Sequence, residues 1–120
     1  MLKKIESLIL TSDQYEDAIS FFRDKLGLEM THAVDNMSQF SLDGFPLFLA
    51  RANGGSGLFI SIESDNIEKD FELMEKNGIE FREPIKVFKS GDKSAFFKGP
   101  AGSEFMLYQP EPADKNNDKV

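Results

Sequence analysis

Catalysis and metal binding both depend on a short list of side chains, and this chain holds few of them. It has no cysteine. That removes thiolate nucleophiles, disulfides and every cysteine-ligated zinc or iron–sulfur site. It has one histidine, His32, and no Ser–His pairing can be read from the sequence. What remains for acid–base work is carboxylate: Asp and Glu together number 21 against 14 Lys and Arg, a formal net charge of −7. The glycine-rich stretch Asn53-Gly54-Gly55-Ser56-Gly57 has neither the spaced glycines nor the lysine of a phosphate loop, and no helical pattern follows it, so it reads as a linker. Asn36-Met37-Ser38 matches a glycosylation acceptor, which a cytoplasmic chain would not use.

These facts bound the class. The 120 residues suit one compact domain that needs no staple. An excess of negative charge repels phosphate backbones, so nucleic acid is not an expected partner. The opening MLKKIESLIL faintly imitates a signal peptide, but Glu6 and Ser7 interrupt the apolar run and Thr11-Ser12-Asp13 end it early. No run approaches the ~20 apolar residues of a membrane span. The expectation is a cytoplasmic protein with no membrane partner. Twelve phenylalanines and no tryptophan point to an aromatic core with few polar handles, or to an apolar cleft.

The elements that must position any site follow from hydrophobic period and punctuation. Residues 4–10 read as a strand. Asp13 and Glu16 form a capping-box-like start. Ala18, Ile19, Phe21, Phe22 and Leu26 supply a helical stripe, and Gly27 ends a helix over about 14–26. Strands over about 28–33, 37–42 and 46–50 follow, with Asp43-Gly44 as a hairpin signal. The order then repeats. There is a strand at 58–63, a cap at Asp65 and Glu68, and a helix with Ile67, Phe71 and Met74 that ends at Asn77-Gly78. Strands at about 80–87, 93–98 and 104–109 complete the second half. Ser12-Asp13 and Ser64-Asp65 correspond, as do Gly27-Leu28-Glu29 and Gly78-Ile79-Glu80. The predicted architecture is α+β: two βαβββ modules at 1–51 and 58–110, a linker at 52–57 and a disordered tail at 111–120. A four-stranded ferredoxin-like domain is the alternative, and eight predicted strands argue against it.

Two stretches carry a resemblance. One is Ser12-Asp13 with Ala18, Phe21-Phe22 and Lys25-Leu26-Gly27-Leu28-Glu29. The other is the closing Phe96-Phe97-Lys98-Gly99-Pro100-Ala101-Gly102-Ser103-Glu104-Phe105-Met106-Leu107. Together with the repeat, they resemble the vicinal-oxygen-chelate superfamily of glyoxalases, bleomycin-resistance proteins and extradiol dioxygenases. The resemblance covers residues 3–110. It implies curved half-sheets with helices outside and a cleft within. It also implies a metal, in the metal-dependent members, held by four inward strand positions. Carried over, those positions are Ser7, Phe48, Phe59 and Met106. None is an imidazole or a carboxylate, so no metal and no other cofactor is expected, and glyoxalase, dioxygenase or epimerase chemistry by the usual route is not implied. His32 reads as a solvent-facing strand residue.

By strand alternation the same inward faces should hold Ser7, Phe48, Phe59, Ser61, Glu63, Glu104, Met106 and Tyr108, with Ile9 beside them. These are the candidate ligand-binding residues; no catalytic residue is assigned. The expected function is metal-free binding of a cationic or aromatic small molecule such as an antibiotic, in the manner of the bleomycin-resistance proteins. The alternatives are a metal-independent lyase- or isomerase-like enzyme using Glu63 or Glu104 with help from Tyr108, and an interaction module with a filled cup and no ligand. The resemblance further implies a homodimer.

Overall fold

A computed structural model describes residues 1–52 and 57–111. The predicted linker lies mostly, and the predicted tail almost wholly, outside the described residues. Two compact units are present: Glu6–Ile60, and Ser61 onward together with Met1–Ile5.

The first half of the chain runs β1 (Leu2–Ser12), α1 (Tyr15–Ser20), a π-helical turn (Phe21–Lys25), β2 (Glu29–Val34), β3 (Met37–Leu42) and β4 (Phe45–Arg51). Its strand order is β2-β3-β4-β1. The hairpins β2–β3 and β3–β4 are antiparallel. Strand β1 pairs parallel with β4, Ile9 opposite Phe48 and Leu10 opposite Leu49. A parallel pair needs a long crossover, and α1 with the two hairpin strands supplies it. Asp43 at φ 52° and Gly44 at φ 84° make the tight β3–β4 turn. Two successive positive φ values are what a type I′ hairpin requires, and Asp-Gly tolerates them.

One face of this half-sheet packs on α1. Tyr15, Phe40 and Leu49 are buried there, with Leu10, Ala18, Ile19, Phe22, Leu28, Met30 and Leu47 against them. Phe21 and Leu26 were expected in this stripe but are 47% and 55% exposed. The cause is the π turn. Leu26 N–H donates to the Phe21 carbonyl, five residues back, at 2.9 Å, so an extra residue enters the turn and rotates Leu26 off the core face. Gly27 then leaves the helix at φ 76°, a left-handed conformation that costs glycine less than a residue with a Cβ.

The second half runs β5 (Gly57–Ser64), α2 (Ile67–Lys76), β6 (Lys86–Val87), β7 (Lys93–Lys98), a 3₁₀ turn (Pro100–Gly102) and β8 (Glu104–Gln109). Its strand order is β5-β8-β7-β6. Ile67, Met74, Phe97 and Leu107 form its buried core, flanked by Phe71, Ile79, Phe81, Ile85 and Phe105. The phenylalanines stack in this core: Phe71 on Phe81 at 4.0 Å between centroids, and Phe97 on Phe105 at 5.2 Å. The strand expected over 80–87 shrinks to Lys86–Val87 and one bridge from Phe81 to Phe97. Pro84 stands in the middle of that stretch and has no N–H to give to a ladder.

Both expected capping boxes are displaced. Helix α1 begins at Gln14, with no side-chain cap. Helix α2 begins at Asn66, whose side chain accepts from the Lys69 N–H at 3.2 Å. Asp65, the expected cap, stands one residue too early.

Candidate functional site

The sheet face turned away from each helix is the place to look, because the other face is consumed by the core. In the first unit, pairing places Ile9, Phe48, Gln39 and His32 in one row across β1, β4, β3 and β2. Phe48 and Ile9 are half-buried, and so is Phe59 in the part of β5 that belongs to this unit. Ser7 lies two residues before Ile9 on the same face. It is fully buried, and its hydroxyl donates to Glu6 Oε1 at 2.7 Å. A bulge between Met30 and His32 brings His32 opposite Gln39. Residue spacing alone does not reveal a bulge, so sequence reasoning left this histidine off the row. It is exposed, on the edge strand, with Nδ1 3.4 Å from Thr31 Oγ1.

In the second unit, β7 and β8 set Phe96 opposite Met106, Ser94 opposite Tyr108 and Lys98 opposite Glu104. These face away from Phe97, Phe105 and Leu107, which belong to the core on the α2 side. Strand β5 contributes Ser61 and Glu63 to the same side. The alternate residue Ser64 points to the helix instead, where its hydroxyl donates to the buried Asp70 carboxylate at 2.6 Å. Strand β8 lies between β5 and β7, so Met106 and Tyr108 occupy the middle of this face. Ser94 and Phe96 were not among the sequence-derived candidates. Their register opposite Tyr108 and Met106 was the signal, and it becomes visible only once β7 and β8 are paired.

The electrostatics of the face differ from the expectation of carboxylates waiting for a cation. Glu63 is 3.8 Å from the Lys3 ammonium within this unit, and its side chain is only 17% exposed. Glu104 is ion-paired with the Arg82 guanidinium. Tyr108 donates its hydroxyl to Asp92 Oδ2 at 3.0 Å, and the other oxygen of Asp92 accepts the Glu111 N–H at 2.8 Å. Each carboxylate thus already has a counter-charge or a donor. A general base here would first have to leave its partner.

Two hydroxyls differ. Ser61 and Ser94 are 0% and 1% exposed, and neither Oγ has a hydrogen-bond partner. A buried polar atom left unpaired costs free energy on the order of 1–3 kcal/mol.

The four positions that would hold a metal do not fit one. Ser7 offers a hydroxyl already bonded to Glu6, Phe48 and Phe59 offer rings, and Met106 offers a thioether. Hard divalent ions take carboxylate, imidazole or carbonyl donors. Among the described residues, no group of three or more His, Cys, Asp or Glu side chains converges. No helix among them is long and apolar enough to cross a membrane.

Grooves occur elsewhere. One of about 620 Å³ runs beside α2 and is lined by Met1, Leu2, Leu73, Met74 and their charged neighbours. Another of about 470 Å³ lies beside Gly78, Ile79, Gly99 and Phe105. None of the eight sequence-derived candidates lines either groove.

Comparisons with known proteins agree with this architecture. Three solved structures illustrate the likeness. A hypothetical protein from Bacillus halodurans C-125 superposes with a TM-score of 0.73 at 14% identity, covering 91% of this chain and 95% of its own. A glyoxalase/bleomycin resistance protein/dioxygenase superfamily member from Vibrio splendidus 12B01 gives 0.65 at 20% identity over 91% and 99%. Methylmalonyl-CoA epimerase from Mycobacterium tuberculosis gives 0.70 at 13% identity over 96% and 93%. At these identities the likeness is one of fold. No match is found among curated proteins. The sequence model of one family matches residues 4–107, nearly all of the described chain, and the chain belongs to that family, the Glyoxalase/Bleomycin resistance protein/Dioxygenase superfamily.

Proposed function

We propose that this chain binds an aromatic small molecule without a metal, on the face of β5, β8 and β7 that turns away from α2. The observation that carries the reading is the side-chain inventory of that face. Met106 and Tyr108 are half-buried along its middle and Phe96 is half-buried beside Met106 on β7, and the family's ion-holding position on β8 is filled by the thioether of Met106. Aromatic rings and thioethers pack well against flat apolar ligands. The partners of Glu63 and Glu104 turn the reading from cations toward neutral molecules, since neither carboxylate is left to select positive charge. Burying a ligand face of ~100 Å² contributes about 2.5 kcal/mol. One such wall therefore supports only weak binding, at millimolar concentration or above.

The test is a thermal-shift and chemical-shift titration with neutral two-ring aromatics, compared with the planar cation ethidium. Binding to the native state raises the melting temperature by mass action. The reading expects amide shifts confined to residues of β5, β7 and β8, weakened at least fivefold in Met106→Ala. Shifts confined to the α2 groove, or none at all, would refute it. The enzyme alternative has less support, because each carboxylate on the face is already engaged.

We also infer a homodimer. Val34, Leu42 and Leu26 are 71%, 62% and 55% exposed, and β2 leaves one edge of its strand order unpaired. A monomer mass by light scattering at micromolar concentration would exclude it.

A further inference from the structure

Ser61 and Ser94 suggest what the ligand of that face must carry. A small hydroxyl is an expensive group to bury without a partner, and alanine would fill either position at nearly the same volume. Both serines lie within the second unit, on strands that flank β8. Ser94 stands opposite Tyr108. Ser61 lies on β5, the other neighbour of β8, in the place that Ile9 takes in the first half (61 − 9 = 52). The two hydroxyls therefore flank the β8 strip of Met106 and Tyr108, with Phe96 beside Met106 on β7. The strand between them separates them by about 10 Å across the sheet. Among the described residues of the α1 unit nothing comparable occurs: Ser7 already donates to Glu6, and Ser38, on the core side, meets Tyr15.

We propose that Ser61 and Ser94 are hydrogen-bond donors for a neutral aromatic ligand with oxygen acceptors at both ends of a fused-ring body. The claim rests on the binding reading above and goes beyond it by naming the ligand's polar groups. In the free protein both hydroxyls are buried without a partner. Met106, unbranched and with three rotatable bonds, can turn aside to admit an acceptor. The serines thus lower the stability of the free protein and are satisfied only in the complex.

The probe pair is 7-methoxycoumarin, with a lactone carbonyl at one end and an ether oxygen at the other, and 2-ethylnaphthalene, of similar shape but without acceptors. Chemical-shift titrations of the intact chain and of Ser61→Ala and Ser94→Ala give the affinities, and thermal melts of the ligand-free variants give stability. The coumarin should bind at least threefold tighter than the naphthalene, against the order of their hydrophobicities. Each alanine should reduce that preference while raising the ligand-free melting temperature by about 3 °C. If both probes bind the face equally, or the alanine variants melt lower because the hydroxyls bond within the fold, the proposal is overturned while the binding reading survives. If neither probe perturbs the face, both fail together.

Discussion

Ser12 and Ser64 stand at matching points of the two halves, an offset of 52 residues (64 − 12), and make the same bond. Ser12 Oγ accepts the Gln14 N–H at 3.0 Å, and Ser64 Oγ accepts the Asn66 N–H at 3.0 Å. In both halves a serine at the end of the first strand ties down the backbone that enters the helix. Beyond this turn the halves diverge. Asn66 caps its helix and Gln14 does not, and Ser64 also donates to Asp70 whereas Ser12 has no acidic residue six positions on.

The divergence predicts unequal mutational costs. Asn66→Ala removes a side-chain acceptor from the Lys69 N–H and should cost about 1 kcal/mol in urea denaturation. Gln14→Ala removes no cap and should change stability by less than about 0.5 kcal/mol. Gln14→Asp should stabilise, because it supplies the missing acceptor next to the positive end of the helix dipole. Equal effects at the two positions would show that the caps do not govern these helix starts.

A second prediction concerns the buried hydroxyl pair of the first unit. Tyr15 OH lies 2.5 Å from Ser38 Oγ, and the two residues are 4% and 2% exposed. Tyr15→Phe keeps the ring, and with it the Arg51 guanidinium stacked 4.5 Å from the ring centroid, but strands the Ser38 hydroxyl. It should cost about 1–3 kcal/mol. Adding Ser38→Ala should recover part of that loss, since removing both partners leaves nothing unsatisfied. A double-mutant cycle measures the difference, and strict additivity would deny the pair any coupling.

These examples also show which features the sequence makes legible. The Asp43-Gly44 turn, the glycine exits at Gly27 and Gly78, the α2 stripe and the Ala18, Ile19 and Phe22 part of the α1 stripe were readable because each rests on local backbone sterics or on period. The face of β8 was readable because alternation is strict, whereas the β7 residues that share it needed the pairing. The pairing Arg82–Glu104 was not. It depends on how the irregular segment around Pro84 folds back on β7, where the Arg82 N–H donates to the Phe96 carbonyl at 2.9 Å. The π turn was equally hidden, because Phe21-Phe22 and Leu26 fit an ordinary helical stripe. The orphaned hydroxyls of Ser61 and Ser94 escape any sequence reading: an unpaired partner is a property of three-dimensional surroundings.

Acid sensitivity follows from two strand-to-helix ion pairs, each within its own unit. Arg51 bonds Glu16 at 2.6 Å and Lys93 bonds Glu68 at 2.6 Å. These bonds hold both carboxyls below their ordinary pKa of 4.5. A carboxylate depressed in the folded state contributes stability above its unfolded pKa, and that contribution is lost as pH falls through the folded value. Both pairs are exposed, so the effect is small and screened by salt. Denaturant midpoints measured from pH 6 downward should fall once pH drops below about 4.5, and Lys93→Met should flatten that fall. A Lys93→Met profile parallel to that of the parent chain would show that the pair is not linked to folding.

The last prediction concerns metal. The resemblance that assigns the fold also assigns four ion-holding positions, and the two assignments can be separated. The fold is built by the repeat, the glycine exits and the core on the helix side. The ion would be held by side chains on the opposite face, which the core does not constrain. At those positions the chain has Ser7, Phe48, Phe59 and Met106, a set whose donors are one hydroxyl and one thioether. Ser7 is not in reserve, since its hydroxyl is buried and bonded to Glu6. His32 is the chain's one imidazole, and its row partners Gln39, Phe48 and Ile9 add no carboxylate. Purified protein titrated with Mn²⁺, Zn²⁺ or Ni²⁺ in a calorimeter should therefore show no saturable one-to-one binding that raises the melting temperature. His32→Ala should leave the titration unchanged. A stoichiometric ion that survives dialysis and shifts the amide resonances of Ser7, Phe59 or Met106 would overturn the carried-over positions, and with them the metal-free reading of the site.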